Sequence, residues 1–204
     1  MDYYSELVTQ KSWQLLTELR KNFSFILIGG WAVFLYTQAL KSKDIDLVLE
    51  FSELEKMRQK FPLSKNERLK KYEVRVEEVE IDLYLPFYSN PGLPAEEIKK
   101  WTQGLEGFLV PQKEVLLILK IQAYLARKGA VKGRKDLIDI LSLLKLVDFN
   151  WPVFKKLARD YRLNHFLKEL AALLRENFSV EELGLNRHQF SRLKKKWLAA
   201  LNAN

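Results

Sequence analysis

Residues 26–50, ILIGGWAVFLYTQALKSKDIDLVLE, confine the fold more than any other part of the chain. A short apolar run ends at Gly29-Gly30, an apolar segment of helical length follows, and Asp44-Ile45-Asp46 opens a second apolar run. The order is strand, glycine turn, helix, strand. A glycine turn at a helix start points backbone N–H groups at whatever lies in front, and an anionic phosphate suits that place. Carboxylates at i and i+2 leave a strand from the same face, as a shared divalent cation requires. A phosphate seat and a metal seat within one unit imply phosphoryl or nucleotidyl transfer.

The flanking sequence extends this pattern into an α+β fold. Ser5 to Lys21 has helical periodicity, with Leu7, Trp13, Leu15, Leu16 and Leu19 available for a core face. Phe25 to Ile28 reads as a strand and Trp31 to Leu40 as a helix. Ile45 to Phe51 is a strand apolar on both faces, which places it centrally. Ser52 looks like the cap of a helix running to about Lys60. Tyr72 to Val76 and Val79 to Leu85 read as two strands joined through Glu77-Glu78, and Phe108 to Val110 as a further short one. Pro86 to Pro94 is a loop rich in turn formers. From Pro111 the pattern is helical: Lys113 to Lys128, Arg134 to Val147 after a Gly129–Gly133 loop, Trp151 to Asp160, Leu163 to Asn177 and Arg187 to Asn202. The expected organisation is a mixed domain over residues 1–110 and a helical domain over 111–204.

Composition removes several classes. With no cysteine among 204 residues, disulfides, zinc–thiolate centres and thiol nucleophiles are excluded, and a reducing cytoplasm fits. The longest apolar stretch, Phe25 to Tyr36, is too short to span a bilayer, so no membrane role is expected. Met1-Asp2-Tyr3-Tyr4-Ser5-Glu6 lacks the basic start of a signal peptide. The net charge of +8 is uneven: residues 1–110 carry 15 Lys/Arg against 17 Asp/Glu, and residues 111–204 carry 19 against 9. A basic half beside an acidic site suits a polyanion, nucleic acid first; a solvated helical surface is the competing account.

Metal-assisted nucleotidyl transfer needs a third carboxylate, to bind a second metal or to activate the acceptor. Glu80-Ile81-Asp82-Leu83-Tyr84 offers it on a later strand, with Asp82 between apolar neighbours and Glu80 the same-face alternative. Two glycines, thirteen residues, D-h-D-h and a later h-D-h strand resemble the nucleotidyltransferase superfamily related to DNA polymerase β. The resemblance spans roughly the first half of the chain. It implies a nucleotidyltransferase-type mixed sheet flanked by helices, followed by a C-terminal helical bundle. It further implies Gly29 and Gly30 on the nucleotide, Asp44, Asp46 and Asp82 on Mg²⁺ (or Mn²⁺), and an NTP substrate.

Residues 116–140, LLILKIQAYLARKGAVKGRKDLIDI, look like the AbiEii-type abortive-infection toxins and the related MenT-like nucleotidyltransferases. That resemblance implies a helical lysine, Lys120, and a later aspartate, Asp136, completing the site, with Arg134 and Lys135 on phosphate. It also implies a tRNA or other RNA acceptor and a cognate antitoxin as partners. Asp139, one turn after Asp136, is expected to cap or to pair within its helix. Arg187, Arg192, Lys194, Lys195 and Lys196 near Phe190 and Trp197 suit an RNA backbone, or a terminal helix packed through Phe190, Leu193 and Trp197. His165 and His188 are read as structural or exposed, and Trp13 and Trp31 as core residues in preference to base-stacking platforms. The alternative to an enzyme is a non-catalytic protein of the same fold that binds RNA or a partner protein. The NTP, the acceptor and the oligomeric state are left open by the sequence.

Overall fold

The computed structural model describes residues 4–177 and 179–203; Met1 to Tyr3, on which the signal-peptide reading partly rests, lie outside them. They fall into two compact units, one ending at Gln112 and the other beginning at Lys113.

The first unit contains α1 (Glu6–Asn22), β1 (Ile26–Ile28), α2 (Gly29–Thr37), β2 (Ile45–Val48), α3 (Phe51–Lys60), β3 (Ser64–Asn66), β4 (Lys71–Val76), β5 (Val79–Tyr84), α4 (Ala95–Ile98), β6 (Thr102–Leu105) and β7 (Phe108–Pro111). The strands make one seven-stranded mixed sheet in the order β3-β4-β5-β2-β1-β7-β6. β2 pairs parallel with β5 and β1 parallel with β7; the other pairs are antiparallel. β2 is the middle strand, as its two-sided apolarity requires. One face of the sheet is core: Ile45 and Leu47 of β2 and Ile81 and Leu83 of β5 are fully buried. Trp31, Ala32 and Val33 of α2 and Leu16 and Leu19 of α1 are buried with them. The Trp31 indole donates to the buried Ser12 hydroxyl at 2.9 Å, so its one polar group is satisfied.

Three local readings change. Gly29 and Gly30 are the first residues of α2 rather than a turn before it. β2 ends at Val48, and α3 begins at Phe51 with Glu50 as its N-cap in place of Ser52. The Glu50 carbonyl accepts from Glu53 and Leu54, which closes the first turn early. β3 and β6 are added strands. Both are polar sheet edges, SKN and TQGL, without the apolar alternation that marks a half-buried strand.

The second unit holds α5 (Lys113–Ala126), α6 (Val131–Leu144), α7 (Trp151–Asp160), α8 (Asn164–Glu176) and α9 (Arg187–Asn202). α6 starts earlier than its apolar period suggests, so Gly133 lies inside it, where a Cβ would strike the Arg127 carbonyl. α9 opens with a capping box between Asn186 and Gln189 and buries Phe190, Trp197 and Leu201, while Leu193 is only partly covered. Among the described residues no helix is long and apolar enough to cross a membrane.

Candidate active site

β1 runs straight into α2, and Gly29 makes the change of direction with φ of +69°. Ile28, at the N-cap, provides no side-chain acceptor for the first amides of the helix. The first amides of a helix have no intrahelical acceptor and favour an anion in front of them. Ile28 pairs with Asp46 across β1 and β2, and the Asp46 carboxylate occupies the space in front of Gly29. A Cβ built on Gly29 would lie 2.6 Å from the Asp46 Cγ. Only glycine meets both demands, the left-handed backbone and the close approach. Asp44 sits in the bend one residue before β2, 3.8 Å from the Lys43 ammonium, and not on the strand itself.

On the other side of β2, Asp46 stands in register with Asp82 of parallel β5, and Asp82 in register with Glu73 of β4. Neighbouring strands are about 4.8 Å apart, so three carboxylates form a row across the half-open face of the sheet. Lys71 lies two residues before Glu73 on that same face. Its ammonium is 2.6 Å from Asp82 Oδ2 and 3.0 Å from Glu73 Oε1. Burial and the neighbouring Asp46 charge push the Asp82 carboxyl up to about 6, although Lys71 pulls the other way. Burial opposes the charge on Lys71, but Asp82 and Glu73 outweigh it and hold the ammonium above the usual lysine value. For Glu73 burial is outweighed by Asn66, which donates at 2.9 Å, and by Lys71. Glu80 is exposed and pairs in register with Arg75. Lys71 and Glu73 have no counterpart in the sequence expectation. Their signal is the K-x-E spacing on the strand that turns back onto Asp82.

The second-unit residues have their own setting. Lys120 of α5 is buried, 3.3 Å from Asp136 Oδ1 and 2.7 Å from Asp139 Oδ2 of α6. Arg127 reaches Asp136 at 2.7 Å, and Lys135 reaches Asp139 at 3.1 Å within the helix. Lys120 and Asp136 are therefore together, in a buried network centred equally on Asp139. Burial drives Lys135 below the ordinary lysine value despite the Asp139 charge. Arg134 forms a two-pronged ion pair with Glu182, at 3.0 and 2.8 Å. His165 and His188 are exposed.

The donor chemistry around Gly29 fits a hard divalent cation. Asp46 and Asp82 offer hard oxygen donors on adjacent strands, and the cradle at Gly29 keeps one of them against a helix N-terminus. A phosphate on the same amides would face the Asp46 carboxylate, a repulsion that an intervening cation relieves. Among the described residues no three His, Cys, Asp or Glu side chains gather as a metal-holding group. Mg²⁺ commonly takes only one or two carboxylates, with substrate phosphate and water completing its shell. A cleft of about 530 Å³ opens elsewhere in the first unit, lined by Phe23, Phe25, Val48, Phe87 and Phe108 among others. None of the carboxylates of the row lines it, so its size says nothing about the acidic site.

Known structures carry the same fold. JHP933 from Helicobacter pylori matches at 18% identity with a TM-score of 0.53, covering 97% of this chain and 94% of its own. A protein from H. pylori named "putative nucleotidyltransferase" matches at 21% identity with a TM-score of 0.51, covering 98% and 100%. What the chain shares with these two proteins is the fold, a mixed sheet flanked by helices. A looser likeness, with a TM-score of 0.42, 20% identity and coverage of 69% and 76%, is to an antigenic nucleotidyltransferase-like protein from Paracoccidioides brasiliensis. No family model matches the chain, and no curated protein matches it.

Proposed function

We propose that the chain is an Mg²⁺-dependent nucleotidyltransferase that moves a nucleoside monophosphate from an NTP to an acceptor hydroxyl and releases pyrophosphate. The observation that carries this reading is the in-register pair Asp46 and Asp82, with Asp46 seated against the uncapped start of α2 at Gly29. The amides at Gly29 and Gly30 receive phosphate oxygens. Asp46, with Asp44 nearby in sequence, holds Mg²⁺ or Mn²⁺, and Asp82 serves as third ligand or as base. A bound cation would offset the charge of the triphosphate and of the departing pyrophosphate. Asp82, with its carboxyl near 6, is suited to accept the acceptor's proton at neutral pH.

For Lys120, Asp136 and Arg134, a role toward the nucleotide is supported by the toxin-branch resemblance, while each has an ion partner inside the second unit. The same resemblance, with the basic excess after residue 111, supports an RNA acceptor such as tRNA and a toxin whose antitoxin is a separate protein. The test is incubation with radiolabelled NTPs, Mg²⁺ and total tRNA. Wild type is expected to label RNA and Asp46→Ala to label none. Tight RNA binding without transfer from any NTP would establish the non-catalytic alternative instead.

A further inference from the structure

We propose that the Lys71 ammonium is the chain's own cation at Asp82, so that the site takes one divalent ion, on the Asp46 side, where paired-metal sites take two. The inference deepens the nucleotidyltransferase reading and rests on it for its meaning.

Glu73, Asp82 and Asp46 are cross-strand neighbours, an arrangement in which like charges repel. Lysine stems normally carry their heads out to water. Lys71 instead turns inward, its side chain only 11% exposed, and contacts both Asp82 and Glu73. Its place is fixed from several sides. The preceding Lys70 takes a left-handed backbone, and its carbonyl accepts from the buried Ser89 hydroxyl. β4 is paired with β3 on one edge and β5 on the other, and Asn66 donates to the Glu73 carboxylate. A divalent ion on Asp82 would have to expel a buried ammonium that two carboxylates hold. One carboxylate of the row is thus already compensated.

The experiment is Mn²⁺ binding to the full chain without nucleotide, followed by the loss of the free-ion paramagnetic resonance signal. Wild type is expected to bind one Mn²⁺ per chain. Lys71→Met is expected to bind a second, at an ion concentration at least tenfold below any at which wild type does so. Lys71→Arg should behave as wild type, and adding Asp82→Asn to Lys71→Met should remove the gain. Two comparable Mn²⁺ sites in wild type, or unchanged stoichiometry in Lys71→Met, would overturn the proposal. Should Lys71→Met fail to fold by circular dichroism, Lys71→Gln carries the same comparison. No nucleotide enters the measurement, so an absence of transfer activity and a failure of this inference are separate results.

Discussion

The carboxylate of Asp46 fills the volume that any side chain on Gly29 would need. Gly29→Ala therefore combines a left-handed alanine with a clash against a half-buried acid. A loss of about 2–4 kcal/mol in urea unfolding is expected. Gly104→Ala is the control: it has open space at Cβ, and its stability should stay within about 0.5 kcal/mol of wild type or rise slightly. Equal effects at the two positions would show that Asp46 does not occupy the cradle.

Asp82 gives a pH signature with a defined sign. Its carboxyl is raised from 3.8 to about 6 in the fold, so the folded state prefers it protonated. Its contribution is fully present below about pH 4 and is lost as pH rises to about 6. Relative to Asp82→Asn, wild type should lose about 2–3 kcal/mol of stability across that window and run parallel above it. Denaturant titrations of both proteins between pH 4 and 8 give the difference directly. A difference that does not change with pH would show that the carboxyl is not raised.

Asp139 is fully buried and shared by Lys120 and Lys135. Asp139→Ala leaves two buried ammonium groups short of a counter-charge, and a loss of about 3–5 kcal/mol is expected. Thermal unfolding of the full chain reads it, and a shift under 1 °C would show that the network relaxes into water.

The terminal helix separates packing from nucleic-acid binding. Trp197 is buried, and Trp197→Ala should cost about 3–5 kcal/mol of stability. Lys195 and Lys196 are exposed, so their alanine variants should leave stability unchanged. If RNA lies on this helix, each substitution should flatten the salt dependence of RNA affinity by about one unit of slope. Unaltered slopes would place the RNA elsewhere.

How much of this was legible in the sequence depends on the residue. The strand, glycine, helix and strand order from Ile26 to Val48 was readable because it lies in one continuous segment. The central position of β2 followed from its two-sided apolarity. The adjacency of Asp82 to Glu73 was also derivable: a two-residue turn at Glu77-Glu78 puts Val76 opposite Val79 and, counting back, Glu73 opposite Asp82. The parallel match of Asp46 with Asp82 was not, since nothing local fixes the register of strands more than 30 residues apart. β3 and β6 escaped because edge strands are held by backbone pairing and need no apolar alternation. The partners of Lys120 depend on how α5 and α6 rotate against each other, and helical periodicity alone left Asp139 looking like a local ion pair.

The parallel pairing of β2 with β5 also has a consequence for how the chain avoids error. Side chains alternate along a strand, so sliding β5 by one residue would turn Asp82 into the core and lift Ile81 and Leu83 into water. The misaligned sheet would lose its apolar layer and its acidic row in the same step. The alignment that hides the hydrocarbon is thus also the one that assembles the carboxylates, and a molecule that has folded to full stability has proofread its own chemistry.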